Sequence, residues 1–147
     1  MHPIHPMVVH FPIALLIASV VFDFLATRWR HKSFQDAGLY TLIAGLFGAV
    51  VAVGTGAMAE EAVEDMGIPE SVLEMHEVLG YATLLFFLGL LALRLLMRWK
   101  LLKEMPALYL TMGLVGIVIL VMAGYVGGGL VYDFGAGVNL SISEYAP

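Results

Sequence analysis

Four apolar runs constrain this chain more than any other feature. At about residues 8–26, 39–59, 77–97 and 106–128 the sequence is rich in Leu, Ile, Val, Phe, Ala and Gly and nearly free of charge. About 20 such residues suffice for a helix to cross roughly 30 Å of hydrocarbon. Inside a bilayer every backbone N–H and C=O must be satisfied within the protein, which leaves helices or a closed barrel, and these runs are far longer than barrel strands. With 61% apolar residues, 13% charged residues and a mean hydropathy of +0.92, the solvent is lipid. The expected fold is all-α: an up-down-up-down four-helix bundle that makes the whole chain, 1–147, a single transmembrane domain.

The charges are sorted along the chain. Arg28, Arg30 and Lys32 follow the first run, and Arg94, Arg98, Lys100 and Lys103 surround the short link between the third and fourth; these are all the basic residues apart from histidine. The link between the second and third runs carries Glu60, Glu61, Glu64, Asp65, Glu70 and Glu74 and no Lys or Arg. Under the positive-inside rule the basic links face the cytoplasm, so the acidic link and both termini are expected on the outer, periplasmic side. A cleaved signal peptide would need a basic n-region and a small-residue cleavage site. Neither is present, and the first segment is expected to be retained. The outer side is also where the segment 129–147 would follow the last span. The absence of cysteine excludes disulfides, thiolate metal sites and covalent c-type haem.

Local signals support the helix starts. Pro6 suits a first turn, and Ser71 with Glu74 makes a capping-box pattern after Pro69. His10 then falls about one turn inside the first helix and His76 about one turn inside the third, both helices starting outside. Ala14 lies one turn below His10 and Gly80 one turn below His76. Gly56 in the second run and Gly127 in the fourth thin the helices at the same level. Intramembrane ionisable residues are site candidates by default, so this outer cluster is the expected site. The deeper glycine pairs, Gly45 with Gly48 and Gly113 with Gly116, are read as packing notches.

HPMVVHFPIAL from His5 to Leu15, the outward Thr55 and Gly56, His76 with Gly80, and GGGLVYDFGAGV from Gly127 to Val138 resemble a bacterial family of four-helix membrane proteins catalogued as a domain of unknown function. The resemblance spans nearly the whole chain and implies a multi-pass protein of the bacterial cytoplasmic (inner) membrane. The arrangement is also similar, in architecture alone, to four-helix membrane b-type cytochromes that hold haem between histidines on different helices.

Three classes of function remain open on the sequence. In the first, His10 and His76 are the axial ligands of one haem b near the outer face, with Ala14, Gly80, Gly56 and Gly127 making room and Tyr132 or Asp133 reaching the ligands. Two imidazoles leave no open position on the iron, which suits electron transfer between a membrane quinone or a periplasmic cytochrome and another carrier. In the second, His5, His10 and His76, with help from His2, Glu74, Glu77 or Asp133, bind Zn or Cu. Here His5 and His10 stand about 140° apart on a continuous helix, and convergence needs a break near Pro6. In the third, the bundle is a structural or assembly subunit, alone as a homodimer or beside larger redox partners. A carrier or subunit is favoured over a stand-alone enzyme. The chain has no nucleotide-cradling glycine loop, HExxH or GxSxG, and nothing suggests nucleic acid.

Asp23 is expected to pair with Arg28 or Arg30 at the inner boundary, Trp29 and Trp99 to act as interfacial anchors, and the methionines to pack. His31 lies in the basic WRHK stretch and is expected to have no role in a site. The segment after Gly129 is expected to fold back over the mouth of the bundle.

Overall fold

The computed structural model describes residues 4–63 and 66–137, apart from the side chains of residues 60–62. Among the described residues there are helices and turns and no strand. Helix α1 (Ile4–Val8) leads directly into α2 (His10–Trp29), followed by α3 (Lys32–Val63), α4 (Glu70–Arg98) and α5 (Pro106–Tyr132). Counting α1 with α2, four helices are long and apolar enough to cross a membrane.

The interruption at Val9 has a covalent cause. Pro12 has no N–H, so the carbonyl of Val8 loses the partner a continuous helix would provide. The chain nevertheless keeps its course, with Val9 N–H bonded to His5 O at 3.2 Å and Ile13 N–H to Val9 O at 3.3 Å. The Pro12 ring is accommodated by Gly48, where a Cβ would stand 3.1 Å from Pro12 Cδ.

The helices run beyond the apolar segments that define them. Helix α3 has 32 residues, about 48 Å at 1.5 Å per residue, and so overshoots the hydrocarbon. Helix α4 starts at Glu70 with Pro69 as N-cap and without a side-chain capping bond, so the Ser71–Glu74 box does not form. The fixed φ of Pro69, −59°, already sets the chain on a helical course. Pro106 opens α5 at its first turn. That helix continues through Gly127, Gly128 and Gly129 to Tyr132, so the segment expected to leave the bundle at residue 129 is still helical there. The turn follows at 133–137, where Gly135 takes φ 71°, and the Gly135 and Ala136 amides return to Val131 O and Leu130 O. Residues 138–147, the rest of the expected fold-back, lie outside the described residues.

The packing pairs α2 with α3 and α4 with α5, and the two hairpins meet across looser α3–α4 and α2–α5 seams. Leu16, Ser19, Leu42, Phe87 and Leu90 are fully buried at the centre. Around them Phe11, Phe24, Phe47, Leu85 and Leu114 are exposed, Phe47 to 74%. In water such a surface drives aggregation; against acyl chains it is matched to its solvent. Trp29 and Trp99 are exposed at the ends of α2 and α4, the expected position for interfacial anchors. The deeper glycines are contact points, as expected: a Cβ on Gly45 would lie 2.8 Å from Leu16 Cδ2, and one on Gly116 3.0 Å from the Phe87 ring.

These contacts recur with a fixed offset. Leu16 and Phe87 are 71 residues apart, as are the glycines 45 and 116 that receive them. Asp23 and Arg94, also 71 residues apart, meet each other directly. The second hairpin thus repeats the contacts of the first, the pattern of two parallel repeats about an axis along the membrane normal.

Candidate functional site

One histidine of the first span faces His76, and it is His5. The two imidazole centroids are 6.0 Å apart with their planes at 82°. His5 Nδ1 lies 2.9 Å from the carbonyl of Ala52 and 3.3 Å from Thr55 Oγ1. His76 Nδ1 lies 3.2 Å from the carbonyl of Ala123. A carbonyl only accepts, so each ring carries its proton on Nδ1 and donates it, leaving Nε2 with a free lone pair. Among the described residues neither Nε2 makes a hydrogen bond.

The 71-residue repeat governs this site as well. His5 and His76 are separated by that offset, and each bonds a carbonyl 47 residues further along, Ala52 and Ala123. Each ring is backed by a glycine of the neighbouring helix. A Cβ on Gly56 would lie 3.1 Å from His5 Cε1, and one on Gly127 2.7 Å from His76 Cε1. Each hairpin therefore supplies one histidine, one carbonyl that orients it and one glycine that lets it in.

Beside the pair lies a cavity of about 450 Å³, bounded by Ala49 and Val53 of α3, Gly80 and Thr83 of α4, Gly124 and Gly128 of α5 and the turn residues Ala136 and Gly137. At Gly80, Gly124 and Gly128 an added Cβ would meet nothing within 4 Å. The volume falls within the range of small-molecule and cofactor sites, and the walls are largely apolar.

Of the residues expected to form the site, His76, Gly80, Gly56 and Gly127 line this cavity. His10 is exposed and is also among the lining residues, but it does not face His76. The chain is already helical from Ile4, so His5, rather than His10, occupies the first inward turn; five residues later the helix has turned about 140°. Ala14, one turn below His10, is likewise exposed and does not line the cavity. Tyr132 sits at the rim, 90% exposed. Asp133 makes no side-chain bond to either histidine among the described residues. His31 is exposed beside Phe34. Among the described residues no group of three or more His, Asp or Glu stands together as a metal site, and His2 lies outside them.

At the opposite end of the bundle Asp23 is not paired with Arg28 or Arg30. Its Oδ2 accepts from Arg94 Nη1 at 2.7 Å and from the Tyr109 hydroxyl at 3.1 Å, and its side chain is only 8% exposed. Arg94 also donates to the Gln35 carbonyl at 2.6 Å. Asp23 faces α4 and α5, whereas Arg28 and Arg30 are exposed at the end of α2, so the partner comes from another helix. The sequence signal was a basic residue one turn inside the third apolar run, four residues ahead of Arg98.

No curated protein and no solved structure matches the chain. Its four apolar helices and its end-to-end fit agree with one family model, matched over residues 1–140, and the chain belongs to the family described as Predicted membrane protein (DUF2231).

Proposed function

We propose that this membrane protein carries one haem b between His5 and His76 and transfers single electrons at the outer face of the bacterial inner membrane. The observation that carries this reading is the spacing and orientation of the pair. With metal–imidazole bonds of about 2.0–2.1 Å, His5 and His76, whose ring centroids are 6.0 Å apart, would be near enough to hold one metal together. Metal-binding histidines commonly donate the other ring N–H to a carbonyl, which fixes tautomer and ring orientation; both rings do so here. The two histidines come from equivalent places in two equivalent hairpins, so each would offer a group held between them the same ligand in the same setting. The adjoining cavity and its bare glycines supply room. Haem iron held by His5 and His76 would supply reversible one-electron chemistry. The chain's own part is to hold the two imidazoles, keep water away with an apolar wall and pass electrons to a membrane quinone or a periplasmic cytochrome.

Absorption spectra of the purified protein, oxidised and reduced, test this reading. We expect a Soret band that sharpens on reduction with distinct α and β bands. These are lost in His5→Ala and in His76→Ala and kept in His10→Ala. Colourless protein from a haem-replete host, or a spectrum that survives His5→Ala, overturns the assignment. Stoichiometric Zn or Cu in colourless protein would move the pair to metal binding; colourless and metal-free protein would leave assembly.

A further inference from the structure

We propose a second site, at the end of the bundle remote from the histidines: a pocket that binds the phosphate of an anionic phospholipid. A cavity of about 760 Å³ opens there, with Asp23, Arg94 and Tyr109 among its lining residues. The acid does not repel an anion, because both Arg94 and the Tyr109 hydroxyl donate to its Oδ2. Arg30, Arg98 and Lys100 also line the cavity, with Glu104 as the remaining acid. Arg98 has only a 3.8 Å contact with Asp36, at 54% exposure. The lining therefore carries an excess of positive charge.

Two further observations separate this from a merely basic membrane flank. Arg30 and Lys100 are the only non-glycine residues at positive φ among the described residues, at 52° and 61°. Both follow the ends of corresponding helices, α2 and α4, and both line this one cavity. A left-handed conformation is uncommon for side-chain-bearing residues, and each hairpin spends one on a basic residue at the mouth. Met97, Met105 and Pro106 line the same cavity beside the charges, an apolar surface suited to the start of an acyl chain. Basic pockets between spans on the cytoplasmic side are suited to anionic headgroups. The proposal does not depend on the haem reading.

The test uses the full-length protein in neutral detergent, with thermal unfolding and native mass spectrometry as readouts. The additions are phosphatidylglycerol, phosphatidylcholine or inorganic phosphate. Phosphatidylglycerol is expected to bind with defined stoichiometry and raise the unfolding temperature, and phosphatidylcholine to do neither. Arg30→Gln/Lys100→Gln should weaken phosphatidylglycerol binding by about 25-fold, roughly fivefold per charge. Arg28→Gln/Lys103→Gln, two charges from the same flank but outside the cavity lining, should leave it within about twofold. Stabilisation by inorganic phosphate as well identifies the phosphate group itself as sufficient and supports the site. Equal losses in the two double variants, or equal binding of the two lipids, overturns it. If the first variant fails to fold, Arg98→Gln is read in its place, with about a fivefold loss expected.

Discussion

Asp23 and Arg94 are opposite charges inside an apolar bundle, and the energetics of such a pair are lopsided. Removing one partner strands the other where solvation is poor, at a cost of about 3–5 kcal/mol, whereas replacing both by uncharged residues of similar volume is often neutral. Arg94→Met should therefore destabilise the protein by about 3 kcal/mol or more, and Asp23→Asn/Arg94→Met should recover most of that. Unfolding titrations of the detergent-solubilised variants measure both, and equal stability of the single and double variants would show that the pair is uncoupled. The sequence exposed the acid but hid its partner, because Arg94 sits among link charges that all look alike when read along the chain. The same blindness applied to the histidines. His76, Gly80, Gly56 and Gly127 were legible from depth alone, but choosing between His5 and His10 required knowing where the first helix begins. Starting it one turn later, at Pro6, gives His10 the position that His5 holds beside His76.

Helix α5 carries three consecutive glycines whose environments differ, and this gives a prediction at the level of the element. Glycine within a helix is worth about 0.5–1 kcal/mol less than alanine. At Gly128 an added Cβ meets nothing within 4 Å, so Gly128→Ala should stabilise α5 by about that amount. At Gly127 a Cβ would lie 2.7 Å from His76 Cε1. Gly127→Ala must displace the imidazole, at about 1–3 kcal/mol for overpacking, and with it the bond to Ala123. Thermal unfolding should place the two neighbouring substitutions on opposite sides of the parent protein. The extent of α5 was itself misjudged from sequence, since glycine clusters usually mark an exit from a helix. Here the helical bonds continue to Tyr132, and Gly127 is required by the side chain against it rather than by any turn.

At the scale of the whole molecule the internal repeat links the two ends. Histidines 5 and 76 meet at one level, and Asp23 and Arg94 meet at another, about 27 Å away at 1.5 Å for each of the 18 helical steps from His5 to Asp23. Between them Leu16, Phe87 and Leu90 are fully buried, so the two polar sites are insulated by a dry layer. Four spans could be counted from hydropathy, but the repeat could not, because its matching residues are few and widely spaced: His5 with His76, Gly45 with Gly116, Ala52 with Ala123 and Gly56 with Gly127, whereas Leu16 answers to Phe87 and Asp23 to its opposite charge. Two hairpins in parallel place both helix starts, and both histidines, on one side of the membrane. By the positive-inside rule Arg28, Arg30, Arg98, Lys100 and Lys103 predict that the other side is cytoplasmic, which reporter fusions test. Fusion of alkaline phosphatase after residue 147 should then give active enzyme, and green fluorescent protein at the same point should stay dark. The same reporters inserted in the link at Leu101–Glu104 should behave in reverse. A fluorescent C-terminal fusion would put the histidine pair on the cytoplasmic side and would overturn the proposed exchange with periplasmic carriers.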